Sequence, residues 1–140
     1  MNDSFNVLGI AASGMNAQML RLNLIASNLA NADSVSSSIE QTYKSRQPVF
    51  AAHLEDAPNP RSPATGVDVL GVVESPAPLR MEYQPQHPMA NEDGYIFKPN
   101  VNTIEEMANM MSASRSYQNN LEVINTSKDL IQQTLRMGQS

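Results

Sequence analysis

The sequence predicts a mainly α chain with a small β-rich insertion, its long N- and C-terminal helices forming a coiled-coil-like assembly core. Three observations predict this class. All nine prolines of the 140 residues lie between Pro48 and Pro99, and proline both removes a backbone donor and breaks helix interiors. Both proline-free ends repeat apolar residues at heptad spacing. The middle holds short β-branched or alternating runs bounded by glycine and proline. The chain therefore divides into an N-terminal assembly helix (1–33), a Pro-rich β and loop insertion (34–101) and a C-terminal assembly helix (102–140).

The first helix is expected from about Phe5 to Asn31, with Asp3 or Ser4 placed to cap its start. With Leu8 at heptad position a, the a positions hold Leu8, Met15, Leu22 and Leu29, and the d positions hold Ala11, Gln18 and Ile25. Only Gln18 is polar in that seam. The remaining faces are poor in charge: between Ser4 and Asn31, Arg21 alone is ionised, among Asn6, Ser13, Asn16, Asn23, Ser27 and Asn28. A solvated helix normally shows a charged outer face, and loss of charge is the compositional mark of an interface centre. The alternative is a helix buried within its own fold, for which this short chain offers little other apolar mass.

The second helix starts at Asn102-Thr103-Ile104-Glu105-Glu106, where Thr103 as cap and Glu106 three residues later read as a capping box. Glu105 and Glu106 suit the positive end of the helix dipole. The helix then meets neither proline nor glycine before Gly138, a natural stop. Its seam runs Met107, Met110, Ser114, Tyr117, Leu121, Ile124, Lys128, Ile131 and Leu135. The methionines allow adaptable packing, and Ser114 and Lys128 are polar interruptions of the kind that set register and partner. Such a stripe is ordinarily core or helix–helix contact rather than a cofactor site.

In the middle, Asp33 to Glu40 is serine-rich and without period, which reads as a flexible loop. Short strands are expected at Gln47 to His53, Val67 to Val73 and Leu79 to Tyr83. Pro58, Pro60 and Pro63 make the segment between the first two irregular. Residues 84–102 are expected to be loop, with a turn at Asn91-Glu92-Asp93-Gly94.

Composition excludes several function classes. The nine Lys and Arg residues are scattered and net charge is −5, so no basic stripe exists for nucleic acid. Cysteine is absent, which removes disulfides and thiolate metal sites. His53 and His87 are the two histidines. His87 stands near Glu92 and Asp93, but no ligand spacing supports a metal or acid–base site. No phosphate loop or nucleophile motif is present, so neither catalytic residues, a metal nor a cofactor is expected. Residues 7–32 tempt a signal-peptide reading, yet no Lys or Arg precedes them, and Asn16, Gln18, Arg21 and Asn23 interrupt them. The same polar residues rule out a membrane span.

The two ends carry recognisable motifs. At the first stand Ala12-Ser13-Gly14-Met15-Asn16-Ala17-Gln18, Arg21-Leu22-Asn23 and Ala26-Ser27-Asn28-Leu29-Ala30-Asn31-Ala32-Asp33-Ser34. At the second stand Pro99-Asn100-Val101-Asn102, Glu105-Glu106-Met107, Met111-Ser112-Ala113-Ser114-Arg115-Ser116-Tyr117-Gln118 and Asn120-Leu121-Glu122-Val123-Ile124-Asn125-Thr126. This pattern resembles the flagellar rod, hook and hook-associated family of bacteria, and the short middle resembles its proximal rod members. The chain departs from the family at Pro85-Gln86-His87-Pro88, and it lacks the Gly-rich stretch often found after Ser34. The resemblance implies a non-enzymatic subunit of the periplasm-spanning rod that carries torque to the hook. It also implies export by the flagellar type III apparatus without a cleavable signal. The implied partners are copies of itself, proximal and distal rod subunits, and the rod-to-export-gate adaptor. A non-flagellar type III secreted filament or adaptor subunit is the competing reading; it shares the helices but not the paired motifs.

Overall fold

The computed structural model describes residues 2–53 and 66–138. Helix α1 spans Asn2–Ala30, strands β1 and β2 span Arg46–His53 and Gly66–Glu74, strands β3 and β4 span Arg80–Tyr83 and Tyr95–Lys98, and helix α2 spans Thr103–Gly138. The irregular segment expected around Pro58, Pro60 and Pro63 lies outside the described residues.

The helices pack on each other as an antiparallel pair. Asn28 lies beside Glu106, the Arg21 guanidinium donates to Asn109 Oδ1 at 3.4 Å, and Gly14 faces Asn120, so α1 positions descend as α2 positions rise. The approach at Gly14 is close. A β-carbon there would stand 2.9 Å from Asn120 Nδ2, and Ala17 and Ala113, further along the helix pair, are buried.

Strands β1 and β2 form an antiparallel ribbon that packs along α1. Val49 pairs with Gly71 and Phe50 with Val69, leaving Leu70 as the extra residue of a β-bulge. The far end of the ribbon is fastened to α1 by Ser13, whose Oγ donates to Ile10 O at 2.8 Å and accepts the Val67 amide at 3.1 Å. Strands β3 and β4 form a second antiparallel pair. The Tyr83 and Tyr95 rings, directly opposite each other, meet edge to face at 5.1 Å. Gly94, at φ +83°, closes the turn before β4. A β-carbon on it would stand 2.9 Å from the Tyr83 ring.

Several expectations change. β4 falls where only loop and turn were expected: its four residues are too few for period-2 alternation to show, and the proline-rich flanks mask them. The serine-rich segment is tied down. Ser36 bridges Phe97 of β4 through two backbone bonds of 3.0 Å, and its buried hydroxyl lies 2.6 Å from that of Thr42. Helix α1 begins at Asn2, so Asp3 and Ser4 lie in its first turn rather than capping it. The cap of α2 is Asn102, whose Oδ1 accepts the amides of Ile104 and Glu105 at 3.1 and 3.3 Å. Thr103 is the first helical residue, and no capping box forms. Glu106 is instead turned into the protein, 6% exposed.

Candidate assembly surfaces

The first helix divides cleanly into a covered and an open side. Ala11, Ala17, Ile25 and Asn28 are buried against α2 and the β1–β2 ribbon. The open side carries Gly9, Ala12, Asn16, Met19, Asn23, Ala26 and Ala30, all exposed. These seven positions alternate three and four apart, which is the spacing of a second heptad seam on the opposite side of the helix. None is charged. The helix's single mid-length charge, Arg21, points into the α1–α2 junction, toward Asn109 and Glu106. The charge-poor composition therefore has two physical origins: one face is covered within the chain, and the other is exposed yet equally uncharged.

The seam positions read from the sequence separate in the same way. On α1, Ala11 and Ile25 are buried, and Leu8, Met15, Gln18, Leu22 and Leu29 are half-buried. On α2, Met110, Tyr117, Ile124 and Ile131 form a seven-residue repeat on the side of α1 and are half-buried, as is Ser114. Met107, Leu121, Lys128 and Leu135 are exposed. Ile104 and Met111 are further exposed apolar residues of this helix, 79% and 61% exposed. Part of the seam is thus the chain's own helix contact and part is open surface. Gln18 Oε1 is buried with no donor among the described residues.

Where α1 ends, one amide joins four segments. Asn28 is 1% exposed. Its Oδ1 accepts the Tyr43 hydroxyl at 2.8 Å and the Arg46 amide at 2.9 Å, and its Nδ2 donates to Arg46 O at 2.9 Å. The Glu106 carboxyl lies beside it. An asparagine side chain has two donor hydrogens and two acceptor lone pairs, so Tyr43 and the Arg46 amide fill its acceptor capacity and Arg46 O takes one of its hydrogens. Burial raises the Glu106 carboxyl above its ordinary range, as does nearby Glu105, while the Asn28 bond and Arg21 pull it down. Burial likewise pushes the Tyr43 phenol up, with Arg46 opposing, and so preserves its hydroxyl as a donor. Sequence reasoning noted Asn28 only as a polar position. Asparagine is a poor residue for a helix interior, and that was the available signal.

A second amide, Asn100, ties the base of the ribbon to the strand pair. It accepts the Ser45 amide at 2.8 Å and donates to Ser75 O and Ala77 O at 3.3 and 2.8 Å. His87 shapes a turn: its Nδ1 accepts the Met89 amide at 3.0 Å. The His53 side chain lies outside the described residues. Among the described residues no cluster of His, Asp and Glu has the arrangement of a metal site, and no helix is long and apolar enough to cross a membrane.

The chain is a hairpin of terminal helices around a small β insertion, and the open face of α1 carries no charge. Two family profiles match, Flagella basal body rod protein over residues 8–36 and Flagellar basal body rod FlgEFG protein C-terminal over residues 92–137. The chain is 48% identical over 134 residues to the flagellar basal-body rod protein FlgC of Salmonella typhimurium, covering 96% of this chain and 97% of that one. It is 47% identical to FlgC of an Escherichia coli O6:H1 strain with the same coverage, and 39% identical to FlgC of Aquifex aeolicus, with 96% of each chain covered. The chain belongs to the FlgC family of flagellar basal-body rod proteins. It is a structural subunit of the basal-body rod, and the relatives do not favour the reading as a non-flagellar secreted filament.

Proposed function

We propose that this subunit builds the proximal part of the rod and transmits torque by packing the open faces of α1 and α2 against neighbouring subunits in a coiled-coil-like core. The observation that carries this reading is the uncharged, exposed heptad stripe on α1. Leaving seven such positions in water on a helix with no charged outer face makes sense where another surface covers them. A contact between different patches on successive copies does not close on itself and so extends as a helical filament. Load is then shared by many tightly packed side chains, and packed protein interiors deform little. In this reading the partners are further copies, other proximal and distal rod subunits and the rod-to-export-gate adaptor, the location is the periplasmic space, and delivery is by the flagellar type III apparatus without a cleavable signal.

Met19→Glu tests it. Met19 is exposed at the centre of the stripe, and glutamate is a good helix former, so the free subunit should keep its stability within about 0.5 kcal/mol. A charge forced into a covered interface is strongly unfavourable. Cells carrying the variant in place of the parent protein should make the subunit but yield basal bodies without a rod, and should not swim. Normal swimming would remove this face from the assembly.

A further inference from the structure

The β1–β2 ribbon packs along α1 and is hydrogen-bonded to it at two separated places. At its far end the Val67 amide donates to Ser13 Oγ at 3.1 Å. At its base the ribbon enters at Arg46, where both backbone groups of Arg46 bond the buried Asn28 amide. The same amide bonds Tyr43 in the preceding loop and lies beside Glu106 in the first turn of α2. Two fixed points set a direction where one does not.

We propose that Asn28 is the positioning residue that locks the angle between the helical hairpin and the β insertion, and that assembly depends on that locked angle. This rests on the reading of the helices as the assembly core, since a torque-bearing subunit must hold its insertion at one orientation to its helices. Asn28 acts by engaging three elements at once. Replacing it with alanine leaves the Arg46 amide and carbonyl, the Tyr43 hydroxyl and the Glu106 carboxyl without this partner. Asn100, in the segment that follows β4, still ties the ribbon's base together through Ser45 and Ser75, so the insertion should stay intact and swing as a unit.

The absence of cysteine allows spin-label pairs to be introduced directly into the full chain. One pair, Ser112→Cys with Val73→Cys, reports hairpin to ribbon. A second pair, Ala12→Cys with Asn119→Cys, reports within the hairpin; all four positions are exposed. In the parent both distance distributions should be single and narrow. Asn28→Ala should lose the narrow hairpin-to-ribbon peak and keep the one within the hairpin. Asn28→Asp guards against a variant that fails to fold. It keeps the acceptor for Tyr43 and the Arg46 amide, loses the donor to Arg46 O and sets a carboxylate beside Glu106, and should also lose the hairpin-to-ribbon peak. Adding Glu106→Gln removes the second carboxylate and should bring part of the peak back, a rescue that general destabilisation would not give. Rod yield in cells should follow the peak through all three variants. A narrow hairpin-to-ribbon peak in both single variants overturns the lock. A lost peak with normal rods overturns the dependence of assembly on it. The distances are read on free subunits, so they stand apart from Met19→Glu, which tests the assembly reading itself.

Discussion

Replacing Ala113 with leucine tests how the two helices are held together. Ala113 is 0% exposed. It sits one turn or two along α2 from Glu106, Met110, Tyr117 and Asn120, on the side that meets α1. Leucine at 113 adds three carbons to a side chain with no exposed surface to expand into. Overfilling a packed interior costs about 1–3 kcal/mol. Alanine and leucine differ by only a few tenths of a kcal/mol in helix propensity, so nearly all of the change reports packing. That loss is a large share of the roughly 5–15 kcal/mol that holds a typical domain together. The control is Ala108→Leu, on the exposed side of the same helix, expected to stay within about 0.5 kcal/mol of the parent. Urea unfolding of the dilute full chain, followed by far-ultraviolet circular dichroism, reads both. Ala113→Leu should lower the midpoint with the slope unchanged, and Ala108→Leu should do neither. If Ala113→Leu unfolds at the parent's midpoint, the helices are not in close contact along this line and the packing argument fails.

Three other outcomes are expected. Because burial raises the Glu106 carboxyl in the folded chain, the unfolded chain ionises first as pH rises. Stability present below the ordinary carboxylate range is therefore lost as pH climbs through the folded value. Glu106→Gln should be more stable than the parent at neutral pH, and the gap should vanish in acid; an equal gap at both ends of a pH series of unfolding curves would contradict this. Gly94→Ala should cost about 1–3 kcal/mol from its left-handed backbone alone, plus the contact with the Tyr83 ring. It should be read as loss of amide-exchange protection confined to β3 and β4, and unchanged protection there would refute the strain. Gly9 has open space around its Cα, so Gly9→Ala should stabilise the free subunit by about 0.8–1 kcal/mol. If the stripe is an interface, the same change should lower rod yield, so improved stability with normal rods would argue against close packing at that point.

The helices were legible because proline placement and heptad spacing are local signals that survive without tertiary knowledge. So were β1 and β2, each extending one residue beyond the expected start. β4 was not, since Ile96 and Phe97 are buried by pairing with Arg80–Tyr83 and bridging Ser36, and neither contact is visible in a four-residue run. The cap shifted from Thr103 to Asn102 because both residue types cap well; burial of Glu106 beside Asn28 and Arg21 gives its side chain partners across the fold instead of a role in a capping box. The helix seam was read as one surface, yet the fold splits it. A heptad pattern tells which residues share a face, but not whether the covering partner is the same chain or another. Asn28 was seen as a polar interruption, and its role appears only when Tyr43, Arg46 and Glu106, far apart in sequence, are brought around it.

The antiparallel pairing of α1 with α2 also bears on when the subunit can finish folding. Gly14 meets Asn120 and Arg21 meets Asn109, so the contacts that cover α1 bridge most of the chain. Closing so long a loop has an entropic cost that grows with its length, and structures dominated by such distant contacts fold slowly. The β3–β4 pair needs only neighbouring residues and can form early. A chain threaded end first through a narrow passage would hold one helix without its mate until nearly all of it had emerged. In such a passage each terminal helix would stay unpaired until the other was free, and the hairpin would form only after passage was almost complete.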